Sequence, residues 1–144
     1  MFSKSCEYGM RAVVYIAGES LNNRKTDVKG IADKINSPVA FTGKILQFLV
    51  KKKFISSQKG PNGGFSMNLD TLPKIKIADI VVAFEGEEVF TGCGFGLGEC
   101  LNGNPCPLHN KFCLIVNEME TLLRSTSIED MTTKLNSKKY VLKR

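Results

Sequence analysis

The chain has 144 residues, 42% hydrophobic and 24% charged, a near-average globular composition that excludes wholesale disorder and amounts to one domain with one core. Its longest apolar stretches, around 12–17 and 80–84, fall far short of the about 20 residues that span a bilayer, and Arg11 interrupts the only early apolar run, so a cytoplasmic chain is expected with no membrane partner. The net charge of +6 is lopsided: residues 1–67 carry 11 Lys+Arg against 4 Asp+Glu, residues 68–144 carry 9 against 10, which suggests a polyanion-binding lobe joined to a lobe with another task.

Tyr8, Ala12, Tyr15 and Ile16 recur at helical spacing and predict a first helix over residues 5–21. Thr26 is the expected N-cap of a short second helix with Val28, Ile31, Ala32 and Ile35 on its apolar face. Ser37-Pro38 reads as an N-cap followed by proline at the first helical position, opening a third helix to about Lys52 that buries Phe41, Ile45, Leu46, Phe48 and Leu49. Two short extended runs, 54–58 and 65–67, flank Lys59-Gly60-Pro61-Asn62-Gly63-Gly64 and predict a hairpin. Three helices followed by a basic hairpin make a winged helix-turn-helix.

Ile77, Ile80, Val81 and Phe84 mark a fourth helix ended by Gly86. Residues 86–106 hold six of the 13 glycines and three of the five cysteines and are expected to be loop. Phe112, Ile115, Val116, Met119, Leu122 and Leu123 form an apolar stripe on a long helix over 108–123, larger than a small lobe can cover alone. Ser127 with Asp130 resembles a capping arrangement for a last helix through Leu135. The expected fold is mainly α with a small β wing: a DNA-binding lobe at 1–76, a sensor loop and dimerisation helices at 77–135, and a loose basic tail at 136–144.

In a winged helix-turn-helix the third helix enters the major groove and the hairpin touches the flanking backbone or minor groove. The polar edge of that helix collects Ala40, Gly43, Lys44, Gln47 and Lys51. Lys44 and Gln47 suit base edges, whereas Ala40 and Gly43 allow close approach. Gly43 costs about 1 kcal/mol of helix propensity relative to alanine, so its presence needs a reason. Lys51, Lys52, Lys53 and Lys59 are cast as phosphate contacts, with Gly60, Asn62 and Gly63 completing the wing. For Lys51–Lys53 alone, a solvated helix end satisfying the dipole is an equally good account.

Cys93, Cys100, Cys106 and the only histidine, His109, fall within 17 positions. Thiolates and imidazole are soft donors suited to an iron–sulfur cluster or zinc, and the interleaved glycines let backbone wrap closely around either. An odd cysteine count without an export signal argues against disulfides. Cys113, beside Phe112 and Val116, and Cys6, isolated in the first helix, are expected to be structural. Glu7 satisfies the first helix's dipole and pairs with Arg11, or else reaches a cluster across a dimer. With one histidine and no nucleotide-binding loop, no catalytic constellation can be assembled, and an enzyme is not expected.

These residues resemble the IscR/NsrR/RirA-type (Rrf-type) winged-helix transcription regulators over nearly the whole chain. Ser3-x-x-x-Glu7-Tyr8-x-x-Arg11-Ala12-x-x-Tyr15-x-Ala17 is similar to the family's first helix, Ile31-Ala32 and Lys44-Ile45-Leu46-Gln47-x-Leu49 resemble its helix-turn-helix, and Ser56-Ser57-x-Lys59-Gly60-Pro61-x-Gly63-Gly64-Phe65 resembles its wing. The resemblance implies a homodimer whose long helices cross, and a cluster, [2Fe-2S] or [4Fe-4S], on Cys93, Cys100 and Cys106 whose state controls binding to double-stranded DNA. His109 matches the fourth ligand of the branch controlling cluster biogenesis, and Glu7 that of the nitric-oxide-sensing branch. The expected protein is a repressor sensing redox state or nitric oxide; a winged-helix regulator with structural zinc or no metal is the alternative. The Cys93 to Cys100 interval departs from the family's familiar spacings, and Ala40 and Gly43 stand where polar base-readers often sit.

Overall fold

The computed structural model describes residues 1–98 and 103–143. Among these residues, seven α-helices and a two-stranded sheet follow in the order α1 (Lys4–Leu21), α2 (Val28–Ile35), α3 (Val39–Lys51), β1 (Ser56–Gln58), β2 (Gly64–Ser66), α4 (Ile77–Glu85), α5 (Glu88–Thr91), α6 (His109–Ser125) and α7 (Ile128–Asn136), with a 3-10 turn at Leu69–Thr71.

Helix α1 is the hub. Ser3 caps it by accepting from the Cys6 N–H, and Cys6, Gly9, Ala12, Val13, Ile16 and Ala17 are buried along it. Helices α2, α3, α4 and α7 all pack on it, so one hydrophobic cluster runs from Cys6 through Ile31, Leu46 and Ile80 to Ile128. The core therefore draws on residues of both the 1–76 and the 77–135 segments. At the tightest point, a Cβ on Gly9 would lie 2.4 Å from the Phe84 ring, so only glycine lets α4 approach this closely. That ring also packs against Phe48 of α3, with centroids 4.5 Å apart.

The caps differ in detail from expectation. Asp27, not Thr26, caps α2 through a 2.7 Å bond from the Gly30 N–H. Thr26 instead pairs its backbone with Phe65, donating at 3.3 Å and accepting at 2.8 Å, which adds a third extended rung beside the wing. Pro38 holds the N-cap position of α3, and Ser37 supplies the acceptor for the buried Thr42 hydroxyl at 2.9 Å. Phe41 and Phe48 are half-buried rather than buried. The sheet is an antiparallel hairpin in the register Ser56↔Ser66, Ser57↔Phe65, Gln58↔Gly64.

The stretch expected to be loop contains α5, whose Phe90 is buried. The tail is docked rather than loose: Leu142 packs against the core, and Lys143 reaches Asp33 of α2, 3.0 Å from its carbonyl oxygen and 3.5 Å from its carboxylate. Four residues cannot make a whole α-helix by local propensity, and the tail has no amphipathic period; both depend on the surface they land on.

Helix α7 starts with the expected capping box. Ser127 donates its N–H to the Asp130 carboxylate at 2.8 Å, and the Asp130 N–H returns 3.0 Å to the Ser127 hydroxyl. The Ser127 backbone N–H, then its hydroxyl, holds the Asp130 carboxyl below its ordinary value. A depressed folded-state pKa stabilises the protein above the unfolded value and loses that stabilisation as pH falls through the folded one. Asp130→Asn is expected to lower the thermal midpoint at neutral pH and to flatten the loss of stability below about pH 4, as read by thermal melts across an acid series.

Candidate nucleic-acid interface and cysteine loop

One face of the molecule is built from α3 and the hairpin. Ala40, Lys44, Gln47 and Lys51 are exposed along α3, and Gly43 between them has nothing within 4 Å of where a Cβ would stand. A helix glycine with open space in front of it is not explained by internal packing; it leaves backbone available to something from outside. Lys59, Gly60 and Asn62 are exposed at the hairpin tip and Gly63 half-buried in its turn. Fold assembly adds Lys25, whose ammonium bonds to the Gln58 side chain of β1. Nothing in its local sequence singles it out, because the two are 33 residues apart. Lys52 lies over the Phe48 ring at 5.6 Å, so its stem supports α3 while its charge remains outside.

The other end of the molecule carries the cysteines. Helix α4 ends at Gly86, α5 follows, and the chain turns tightly after Cys93: its N–H donates to the Gly98 carbonyl at 2.9 Å, and its carbonyl accepts from Gly96 at 2.8 Å. Gly94 rests on the Phe112 ring, where a Cβ would stand 2.9 Å away, so this turn is laid directly against α6. Cys93 and Cys106 are half-buried, and the His109 N–H closes on the Cys106 carbonyl at 3.0 Å as α6 begins. Cys100 lies outside the described residues. Phe95 and Leu97 project from the same turn, 57% and 72% exposed, apolar positions with no periodic signal in the sequence.

Among the described residues, no three His, Cys, Asp or Glu side chains converge on a single point. The donor set nevertheless suits a soft metal or cluster: thiols and an imidazole in a glycine turn whose backbone bends tightly. Glu7 is engaged on its own helix, 2.8 Å from the Lys4 ammonium and 3.9 Å from Arg11. The hydrogen bond from Lys4 holds its carboxyl below the usual range. Arg11 also donates to the Ile35 carbonyl at 2.9 Å, closing the C-terminus of α2. Cys6 is structural as expected: fully buried, with burial, followed by the nearby Glu85 carboxylate, pushing its thiol up to about 12.

The stripe on α6 divides. Phe112, Val116, Met119 and Leu123 turn inward to their own core, Phe112 beneath the cysteine turn. Ile115 and Leu122 point outward, 61% and 62% exposed, together with Leu114 at 66%, which the sequence reading did not include. Helical spacing marks an apolar residue without telling which neighbour covers it.

Comparison with known proteins agrees with this architecture. The model for Rrf2, iron-dependent transcriptional regulator, matches residues 2–134. A candidate HTH-type transcriptional regulator of Aquifex aeolicus (strain VF5) is 31% identical over 134 residues, 91% of this chain and 90% of that protein. Among solved structures, CymR (YrzC), the global cysteine regulator of B. subtilis, superposes with a TM-score of 0.76 at 19% identity, covering 93% of this chain and 97% of its own. T. potens IscR follows at 0.73 and 18% identity, covering 98% and 92%. At these identities the two structures speak to fold alone. Together with the winged-helix architecture, the family match makes this a transcription regulator rather than an enzyme: the chain belongs to the Rrf2 family of winged-helix transcriptional regulators.

Proposed function

We propose that the protein is a homodimeric repressor that binds double-stranded DNA through α3 and the wing, with an affinity set by an iron–sulfur cluster in the 93–106 loop. The observation that carries the reading is the seating of the Cys93 turn on Phe112: it joins the donor-rich loop to α6, the helix whose opposite side presents Leu114, Ile115 and Leu122 to solvent. Covering three such side chains contributes about 1.5–3 kcal/mol each, and a second copy of the same helix is the self-complementary cover.

Cys93, Cys100 and Cys106 would hold the cluster, with His109 in cis or Glu7 from the other subunit as a further ligand. Bound there, the cluster would supply an oxidisable, nitric-oxide-reactive centre. The chain's own part is mechanical: the turn presses on Phe112, Phe112 sits in α6, and α6 packs on α4 and α5. A change in the turn therefore shifts the balance between two placements of α6, and with it the spacing of the paired recognition helices. Half-sites must match that spacing to about one helical turn, so a small rotation suffices to lose binding. Structural zinc is the second reading, favoured by the closeness of His109 to Cys113 of α6, whose sulfur lies 3.7 Å from Nδ1.

Anaerobic reconstitution with iron and sulfide, followed by anisotropy titration of promoter fragments, tests the proposal. A brown protein whose DNA affinity differs at least tenfold from the apo form is expected, whereas identical affinities on every fragment would overturn cluster control. Gly43→Leu is expected to keep or raise the thermal midpoint, since leucine favours helix by nearly 1 kcal/mol over glycine, yet to weaken DNA binding at least about tenfold. Unchanged affinity would remove the α3 backbone from the interface. Ile115→Lys with Leu122→Lys is expected to sediment as a folded monomer at micromolar concentration; a dimer in that variant would place the subunit contact elsewhere.

A further inference from the structure

His109 and Cys113 stand four apart in α6, the spacing that stacks side chains on one face of a helix. Cys113, expected to be part of the core, is only half-buried, although Val116 one turn on is 8% exposed. Its sulfur lies instead against the imidazole of His109, 3.7 Å from Nδ1 and 3.9 Å from Nε2. Near-equal distances to both nitrogens keep the sulfur off the lone-pair axis of either.

These distances have a chemical meaning. With metal–nitrogen bonds of about 2.0–2.1 Å and metal–sulfur bonds of about 2.3 Å, two donors at a tetrahedral angle stand roughly 3.6 Å apart. The 3.7 Å between the Cys113 sulfur and His109 Nδ1 is close to that separation. Among the described residues no third donor stands at this edge, so the remaining vertices would come from the cysteine loop. Cys106 lies three residues before α6, with its carbonyl accepting from the His109 N–H, and the turn bearing Cys93 rests on Phe112, the residue beside Cys113. Soft thiolate and imidazole donors outcompete a carboxylate for iron or zinc, and Glu7 is occupied by Lys4 and Arg11.

We infer that Cys113 is a metal-ligating thiolate, forming with His109 a two-donor edge on α6 that completes the site begun by the cysteine loop. This rests on the reading of that loop as a metal centre but not on the metal being a cluster: the edge fits a single zinc ion or the iron of a cluster equally. It places the completing donors in the same chain as the loop, on the helix that the loop covers.

Cobalt(II) titration of apo protein, followed by absorption, tests it, since thiolate-to-cobalt charge transfer scales with the number of thiolates bound. Wild type, Cys113→Ser, Cys113→Ala, His109→Ala and Glu7→Gln are compared, with apo melting temperatures to show that each is folded. Both Cys113 variants are expected to lose the charge-transfer intensity of one thiolate and to bind cobalt at least tenfold more weakly, with Glu7→Gln superposing on wild type. Cys113 variants with the wild-type cobalt spectrum and affinity would overturn the inference. Iron and sulfide reconstitution of the same set separates the two ideas. Wild type that takes up no cluster but binds cobalt through Cys113 retires cluster control alone; a cluster-loaded wild type matched in cobalt binding by both Cys113 variants retires the α6 edge alone.

Discussion

Helices α2, α3, α4 and α7 and the wing strand β2 all lean on α1, and the closeness of its contact with α4 is set by the absence of one side chain. At Gly9 the α4 helix comes near enough for the Phe84 ring to occupy the space of a Cβ, and the same ring holds Phe48 of α3. Helix α3, the helix leading to the cysteine loop and the hub thus meet at one aromatic contact, worth about 0.5–1.5 kcal/mol beyond its buried area. The N-terminus of α1 is tied to the end of α4 as well, since Glu85 accepts from both the backbone N–H and the hydroxyl of Ser3. Packed interiors transmit displacement rather than absorb it, so an α4 held at both places cannot shift without α1 and α3 registering it.

That arrangement gives the proposed control a short physical route. The loop carrying Cys93 rests on Phe112, α6 packs on α4 and α5, and α4 meets α3 through Phe84 and Phe48. Each link is a contact between close-packed groups. The wing is fastened separately: Thr26 pairs with Phe65, and the buried Ser20 hydroxyl accepts from the Met67 N–H at 2.9 Å. The hairpin therefore travels with the end of α1 and the start of α2, not as an independent flap.

Electrostatics divides along the same line. The surplus of positive charge in residues 1–67 is displayed on exposed Lys44, Lys51, Lys52, Lys53 and Lys59, where it would meet phosphate. Three acidic side chains are used at helix N-termini: Glu85 on Ser3, Asp130 on Ser127, Asp27 on Gly30. Each satisfies backbone groups that a helix end leaves without partners.

Local chemistry wrote much of this plainly in the sequence. Helical periodicity located α1 to α4, α6 and α7 within a few residues, the Pro/Asn/Gly run located the wing, and Ser127 with Asp130 located a cap, because each depends on residues close together in the chain. The family resemblance, carried by the same motifs, extended that reading to a transcription regulator. Features that depend on distant partners were not legible. Thr26 is a plausible cap until Phe65 claims its backbone; α5 is too short to exist without the surface that buries Phe90; the tail has no docking signal apart from Asp33 and the core. The α6 stripe shows the division most clearly. Its period announced an apolar helix, but only packing could assign Phe112, Val116, Met119 and Leu123 to the protomer's own core and leave Leu114, Ile115 and Leu122 outside, and only side-chain placement could bring Cys113 to His109. Sequence spacing determines which residues share a helix face; which neighbour occupies that face is decided by the other elements, and that is a property of the tertiary fold.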